Sequence, residues 1–330
     1  MTRMTGTITD DGHTGRARVI TVRLVAAAVL SFMPAMARAQ QQQSAPPPAT
    51  IDPRDIADRQ PNVVEPDFTT VNLPTTLRLP RHKSAFRIAH RFTRTLNTPD
   101  FGTLADNLFG LDGGAIIGLE YRFGVMRGLQ AGIYRTSSKT IQFFGQYDAM
   151  RQSASVPFTL DVVASIEGLN NFHRGDVVDE EDHEYATTLG GLLSRTIGDR
   201  AAFYLQPSYI FHSNTYSTAG CLEHMEHGHD IPGCLNATTV GIESNTLLVG
   251  LSTRLRLSPS VYAVGSWTPR ASGFRPGVSL KTLGIEKRLR GHMFQLNVSN
   301  SLGTTMSEMA RGATNNSDWF LGFNISRKFF

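Results

Sequence analysis

The densest concentration of reactive side chains in this 330-residue chain is Cys221-Leu-Glu-His224-Met-Glu226-His227-Gly-His229-Asp230-Ile-Pro-Gly-Cys234. The imidazoles of His224, His227 and His229, with carboxylates between them, offer the nitrogen and oxygen donors of a divalent-metal site. The two cysteines that bracket them offer a disulfide closing a short loop in an oxidising compartment. The Cys221–Cys234 bridge is the expectation, because a His-rich surface loop takes up metal weakly without being built for it, and no cofactor is expected. These are the chain's only 2 cysteines, which excludes a four-cysteine zinc or iron–sulfur centre. The sequence contains no G-x-S-x-G, C-x-x-C, phosphate-binding loop or H-E-x-x-H pattern, so no enzyme class is indicated. His90 has no strand serine indicated as a catalytic partner, and an outer-membrane lipid hydrolase is the least favoured reading.

A second set of charged residues recurs at alternate positions: Arg87, Arg91, Glu120, Arg122, Asp161, Glu167, Arg254, Arg256, Glu286, Arg288 and Lys328. They share strands with apolar residues of opposite parity. Phe158, Leu160, Val162, Ala164 and Ile166 alternate with Thr159, Asp161, Val163, Ser165 and Glu167, and Leu247, Val249, Leu251, Thr253, Leu255 and Leu257 alternate with Leu248, Gly250, Ser252, Arg254 and Arg256. This is the period of a strand, with one apolar and one polar face.

About twelve such strands are predicted, near 84–94, 114–123, 128–136, 139–149, 157–167, 185–196, 201–211, 245–257, 260–268, 278–288, 291–299 and 318–329. Most are long enough to cross a bilayer at a tilt, whereas strands of soluble proteins cluster near 5–6 residues. Their connections mostly alternate between long and short, as in outer-membrane barrels, where short turns face the periplasm. One hairpin breaks the rule, with a tight link at 137–138 and a longer turn at 150–156. The last strand carries Trp319, Leu321, Phe323, Ile325 and Phe329 on one face and ends at Phe330, a pattern expected to be read by barrel assembly machinery.

Ahead of the strands lie two further zones. Arg16, Arg18 and Arg23, an apolar run and Ala37-Arg38-Ala39 form a secretory signal over residues 1–39. Its removal takes Arg3, Arg16, Arg18, Arg23 and Arg38 against Asp10 and Asp11, a net +3 of the chain's +4, so the basic character is largely a targeting property and nucleic acid is not an expected partner. Residues 40–82 hold half of the 16 prolines and no glycine, and read as a disordered periplasmic linker able to engage a periplasmic protein. Val63, Val64, Phe68, Val71 and Leu73 are too few to bury a core of their own, although they can lie along the domain that follows. Residues 83–330 contain every glycine except Gly6, Gly12 and Gly15.

Short motifs in this last zone, among them His90-Arg91-Phe92, Phe109-Gly110-Leu111-Asp112, Gly118-Leu119-Glu120-Tyr121, Gln206-Pro207-Ser208, Gly284-Ile285-Glu286 and Gly322-Phe323-Asn324, resemble a bacterial outer-membrane β-barrel family known only as a domain of unknown function. The resemblance covers about 83–330. It implies a barrel in contact with outer-membrane lipids and no assigned activity.

The expected fold is therefore all-β, a transmembrane antiparallel barrel of about twelve strands, with both termini in the periplasm. By parity the charged set points into the lumen, with Arg87 and Arg91 in reach of Glu120 and Arg122. Its cations outnumber its anions, which favours a passive channel or solute-binding barrel with a weak preference for anions. Arg254 and Arg256, with no acidic neighbour evident in sequence, are the expected source of that preference. The alternative is a non-conducting structural or partner-docking barrel in which the charges neutralise one another.

Overall fold

The computed structural model describes residues 62–98, 100–168, 185–214 and 244–330. Its strands, in chain order, are β1 (Ser84–Thr95), β2 (Ala115–Met126), β3 (Leu129–Thr136), β4 (Ile141–Met150), β5 (Thr159–Gly168), β6 (Tyr185–Ile197), β7 (Ala201–Phe211), β8 (Thr246–Ser258), β9 (Val261–Thr268), β10 (Arg270–Gly273), β11 (Leu280–Leu289), β12 (His292–Ser299) and β13 (Phe320–Phe329). Neighbours pair antiparallel, and β1 pairs with β13 through Ser84↔Phe329 to Arg91↔Gly322, so the sheet closes on itself. β9 and β10 both pair with β8, on either side of Pro269. Proline cannot donate to the ladder. The two pieces are one interrupted strand, and the barrel has twelve staves.

Burial is inverted relative to a soluble sheet. On β2, Leu119, Tyr121 and Phe123 are exposed on the outside while Glu120 and Arg122 are buried inside. The same holds for Phe203, Leu205 and Tyr209 against Tyr204, Gln206 and Ser208 on β7. Such strands put an apolar belt toward lipid and polar groups toward the lumen. His90 falls on the outer face, its ring stacked on Phe323 at 4.7 Å and tilted against Phe92 at 4.4 Å.

Connections 127–128, 198–200, 259–260 and 290–291 are short and lie at one end with the longer 151–158, whereas 100–114 and 300–319 lie at the other with the tight 137–140; residues 169–184 and 215–243 are outside the described residues. The first long loop carries α1 (Phe101–Asp106), and the last carries α2 (Met306–Arg311).

The N-terminal segment corrects the sequence reading. Residues 62–82 are not a linker. Val64, Phe68, Val71, Leu73, Leu77 and Leu79 are all buried, and the segment lies within the barrel, where Phe68, Leu77 and Leu79 cluster with Ala85 and Val64 with Val163, Leu192, Ala202 and Tyr204. Residues 40–61 and the signal at 1–39 lie outside the described residues. The connection 300–319 also folds inward. Met306, Met309 and Ala310 on one face of α2 are buried against Leu73, Ala186, Ile210, Leu248 and Leu280.

Candidate functional site

The lumen is occupied by a hairpin of the chain itself. Its legs, roughly 63–69 and 74–79, are joined by a turn in which Thr70 N donates to Leu73 O at 2.9 Å, and Thr75 N donates to Phe68 O at 2.8 Å. Both legs reach the short-turn end. There Tyr262 Oη donates to Val63 O at 2.8 Å and Lys328 Nζ to Pro66 O at 2.9 Å. The second leg leaves beside Gly124, whose backbone exchanges hydrogen bonds with His82 and Lys83. A Cβ at Gly124 would stand 2.2 Å from Pro80 O, so only glycine lets the strand approach the hairpin's exit this closely.

Wall side chains hold the hairpin mainly by its backbone carbonyls. Arg254 donates from Nη1 to Asp67 O (3.3 Å) and from Nη2 to Thr69 O (2.6 Å), Gln295 donates to Thr70 O, and Arg87 Nη1 (3.3 Å) and Asn324 Nδ2 (2.9 Å) share Val71 O. On the other leg Gln146 Nε2 donates to Thr75 O (2.8 Å) and Gln130 Nε2 to Leu77 O (3.2 Å). Side-chain links are fewer. Arg91 Nη2 donates to Asn72 Oδ1 (2.7 Å), Ser326 Oγ to Asp67 Oδ2 (2.8 Å), the hydroxyls of Thr76 and Ser194 lie 2.5 Å apart, and Arg78 pairs with Asp148.

At the other end α2 closes the lumen. Thr305 and Glu308 form a reciprocal capping box. Ser307 donates from both N and Oγ to the Glu167 carboxylate, each at 2.8 Å. The two closures touch, since Asn72 Nδ2 donates to Gly303 O at 3.1 Å and Leu73 packs with Met306 and Met309. Between them and the wall remains a cavity of about 70 Å³ lined by Arg122, Gln142, Phe144, Ser165, Thr188 and Gln206, among others.

Of the charged set, Arg87, Arg91, Glu120, Arg122, Asp161, Glu167, Arg254 and Glu286 are buried, and Arg256, Arg288 and Lys328 are half-exposed toward the short-turn end. Glu120 takes Arg87 on one oxygen (2.7 Å) and Arg122 on the other (2.9 Å), and Arg122 also covers the rings of Phe68 and Phe144. Arg254 is not unpaired: it meets Glu286 at 2.8 Å, while Arg256 reaches Asp199 at 2.8 Å. The expected source of anion preference is thereby corrected, because both arginines have acidic partners that lie on other parts of the chain. Arg91 differs, since it donates to neutral oxygens of Asn72, Asn324, His90 and Phe323. Gln295, Asn324, Gln146, Gln130 and Asn72 were not among the sequence candidates, because a lone amide on a strand carries no sequence signal of its own. The α2 closure does carry one, the Thr305-x-x-Glu308 capping box followed by Met306, Met309 and Ala310 at helical spacing.

On β13, Leu321, Phe323 and Ile325 face outward, Trp319 precedes the strand, and Phe329 and Phe330 are exposed at its end. Cys221, Cys234, His224, His227 and His229 lie outside the described residues.

A family model described as "membrane bound beta barrel domain" (DUF5777) matches residues 67–329, from within the hairpin to the last strand. The chain belongs to that family. The family's span takes in most of the hairpin along with the barrel, so the boundary at 83 falls inside the family domain. No curated protein matches the sequence. Among solved structures, similarity is found to an outer membrane channel from Pseudomonas putida F1 (10% identity, TM-score 0.38, 76% of this chain and 97% of that one) and to Omp33 of Acinetobacter baumannii (8%, TM-score 0.35, 77% and 100%). A Rhodopseudomonas blastica porin is similar at 10% identity and TM-score 0.30 over 70% of this chain, which spans 58% of the porin's length.

Proposed function

We propose that this protein is an outer-membrane conduit for small polar solutes, held shut by its own N-terminal hairpin, with its short-turn end and both termini in the periplasm. The observation that supports it is the chemistry of the hairpin's seat. The wall meets the hairpin with guanidinium, amide and hydroxyl groups, so a lumen vacated by the hairpin is lined by groups that water satisfies. An apolar seat would collapse or dewet instead. Arg91, which donates to neutral oxygens, supplies the net positive field that favours anions. A periplasmic protein that took hold of the chain ahead of Asn62 would pull directly on the first leg.

The second reading, a non-conducting structural or docking barrel, is favoured by the apolar contact of Leu73 with Met306 and Met309, which joins the two closures. Thr76→Cys with Ser194→Cys separates the two, because the native hydroxyls are 2.5 Å apart. In planar bilayers the oxidised double variant should be silent and reduction should restore conductance steps, with the unaltered protein plus reductant as the control for the native cysteines. Equal conductance in both states would place the conducting path away from the hairpin. Silence in both states would leave the docking barrel.

A further inference from the structure

The hydrogen bonds between the wall and the hairpin's main chain have one direction, while among side chains Arg78 of the hairpin donates to Asp148 of the wall. Wall donors reach the main-chain carbonyls, and three successive ones, those of Thr69, Thr70 and Val71, are each met from different strands by Arg254, Gln295 and Asn324. The hairpin meanwhile satisfies six of its own N–H groups. Asn62 Oδ1 accepts from Val64 N and Glu65 N (2.9 Å each), Asp67 Oδ1 from Phe68 N (2.9 Å), Thr75 Oγ1 from Leu77 N (3.4 Å), and the turn bonds take Thr70 N and Thr75 N. At Pro66 and Pro74 there is no N–H to satisfy.

This seat suits a chain that presents carbonyls, because every described bond the wall makes to the hairpin main chain is donated by the wall. A monatomic anion would meet one or two of these donors and leave the others unpaired, whereas a peptide meets them in series. An ordinary extended peptide would bring one N–H per residue into a seat whose described bonds to the hairpin main chain all run from wall donor to carbonyl. A proline-rich peptide has carbonyls without N–H groups and is already extended, so it binds without the cost of leaving donors buried and unpaired.

We infer that the lumen wall is a binding site for extended proline-rich peptide, that the hairpin is its resident occupant, and that such a peptide from outside competes with the hairpin for the same carbonyl-reading donors. This rests on the reading above that the hairpin can leave. Recognition of the main chain makes the site tolerant of side-chain sequence, while the approach of Leu73 to α2 limits how far an entering chain can travel before it meets the second closure.

The test uses the purified full-length protein carrying Thr76→Cys and Ser194→Cys, and fluorescein-labelled hexaproline as probe, read by fluorescence anisotropy. The reduced form should bind hexaproline, and the oxidised form, with the hairpin tethered in its seat, should bind at least tenfold more weakly. A labelled hexaalanine should bind more weakly than hexaproline to the reduced form. Equal hexaproline binding in both redox states would put the peptide elsewhere and overturn the inference, as would no binding to the reduced form. Conductance that unlocks on reduction without hexaproline binding would sink this inference alone, whereas failure of both measurements would sink the gated conduit with it. Should the double variant fail to assemble, Thr76→Cys alone serves: hexaproline should accelerate maleimide labelling of the introduced thiol several-fold, and an unchanged rate would overturn the proposal.

Discussion

Arg254 on β8 and Glu286 on β11 meet across the intervening strand β9, with Nε to Oε2 at 2.8 Å, Nη2 to Oε1 at 3.0 Å and both side chains wholly buried. The same guanidinium holds two hairpin carbonyls, and the same carboxylate accepts from Gln295 Nε2 at 2.8 Å. The pair thus belongs at once to the barrel wall and to the seat of the hairpin.

A buried pair that loses one member leaves an uncompensated charge, at a cost of about 3–5 kcal/mol, whereas replacement of both members by apolar groups of similar size is often neutral. Glu286→Ala should therefore lower the unfolding free energy by an amount in that range, read as a fall in the urea midpoint followed by the mobility difference between folded and boiled protein on gels. Arg254→Met combined with Glu286→Met should recover most of the loss. A Glu286→Ala midpoint equal to that of the unaltered protein would show that the pair carries no stability.

Asn72 joins three parts of the molecule, since it accepts from Arg91 and donates to the loop that carries α2. A hydrogen bond to a charged group is worth roughly 1.5–3 kcal/mol, or about 10–150-fold in an equilibrium. Asn72→Ala should raise the frequency of opening events in single-channel records by that factor. A frequency unchanged from the unaltered protein would remove Asn72 from the closure.

Selectivity should follow Arg91 rather than Arg254 and Arg256. Under a salt gradient the open state should show a reversal potential of anion-selective sign. Arg91→Gln should move it toward zero, whereas Arg256→Gln, which removes a charge already opposite Asp199, should move it less. Cation selectivity in the unaltered protein would contradict the assignment.

The first long loop has a pH dependence of its own. Asp100 caps α1, and its carboxylate accepts from Thr103 N at 2.9 Å and Thr103 Oγ1 at 3.0 Å, which holds its pKa below the ordinary carboxylate value. Because the folded value is the lower one, the cap is fully present above the ordinary carboxylate pKa and is lost as pH falls through the depressed value. An NMR titration should place the Asp100 transition below that of a free aspartate, and Thr103→Ala should move it upward. A transition at the free-aspartate value would exclude the cap.

The strands were legible because a lipid-facing wall demands strict alternation, and Glu120 between Leu119 and Tyr121 shows that period directly. Parity likewise indicated which side each charge occupies. Partners were less accessible: Arg254 reaches Glu286 over a whole strand, a diagonal fixed by barrel register that no local pattern encodes. The hairpin was the largest miss. A proline-rich stretch without glycine reads as a linker because its own apolar residues cannot form a core, and what orders it is a set of donors lying up to 262 positions away in sequence. Its polar residues Thr69, Thr70, Asn72, Thr75 and Thr76, set among Phe68, Val71, Leu73 and Leu77, are the composition of a segment buried in a polar lumen.

The most direct measurement is the yield of the disulfide between Thr76→Cys and Ser194→Cys in isolated outer membranes, because it asks only where the hairpin lies. The native hydroxyls are 2.5 Å apart, so oxidation should cross-link nearly all of the folded protein, whereas Thr76→Cys paired with Ser317→Cys, in the last long loop, should not cross-link. Failure of the first pair to form, together with rapid maleimide labelling of the thiol introduced at position 76, would mean that the hairpin lies outside the barrel and that the lumen is closed, if at all, by something else.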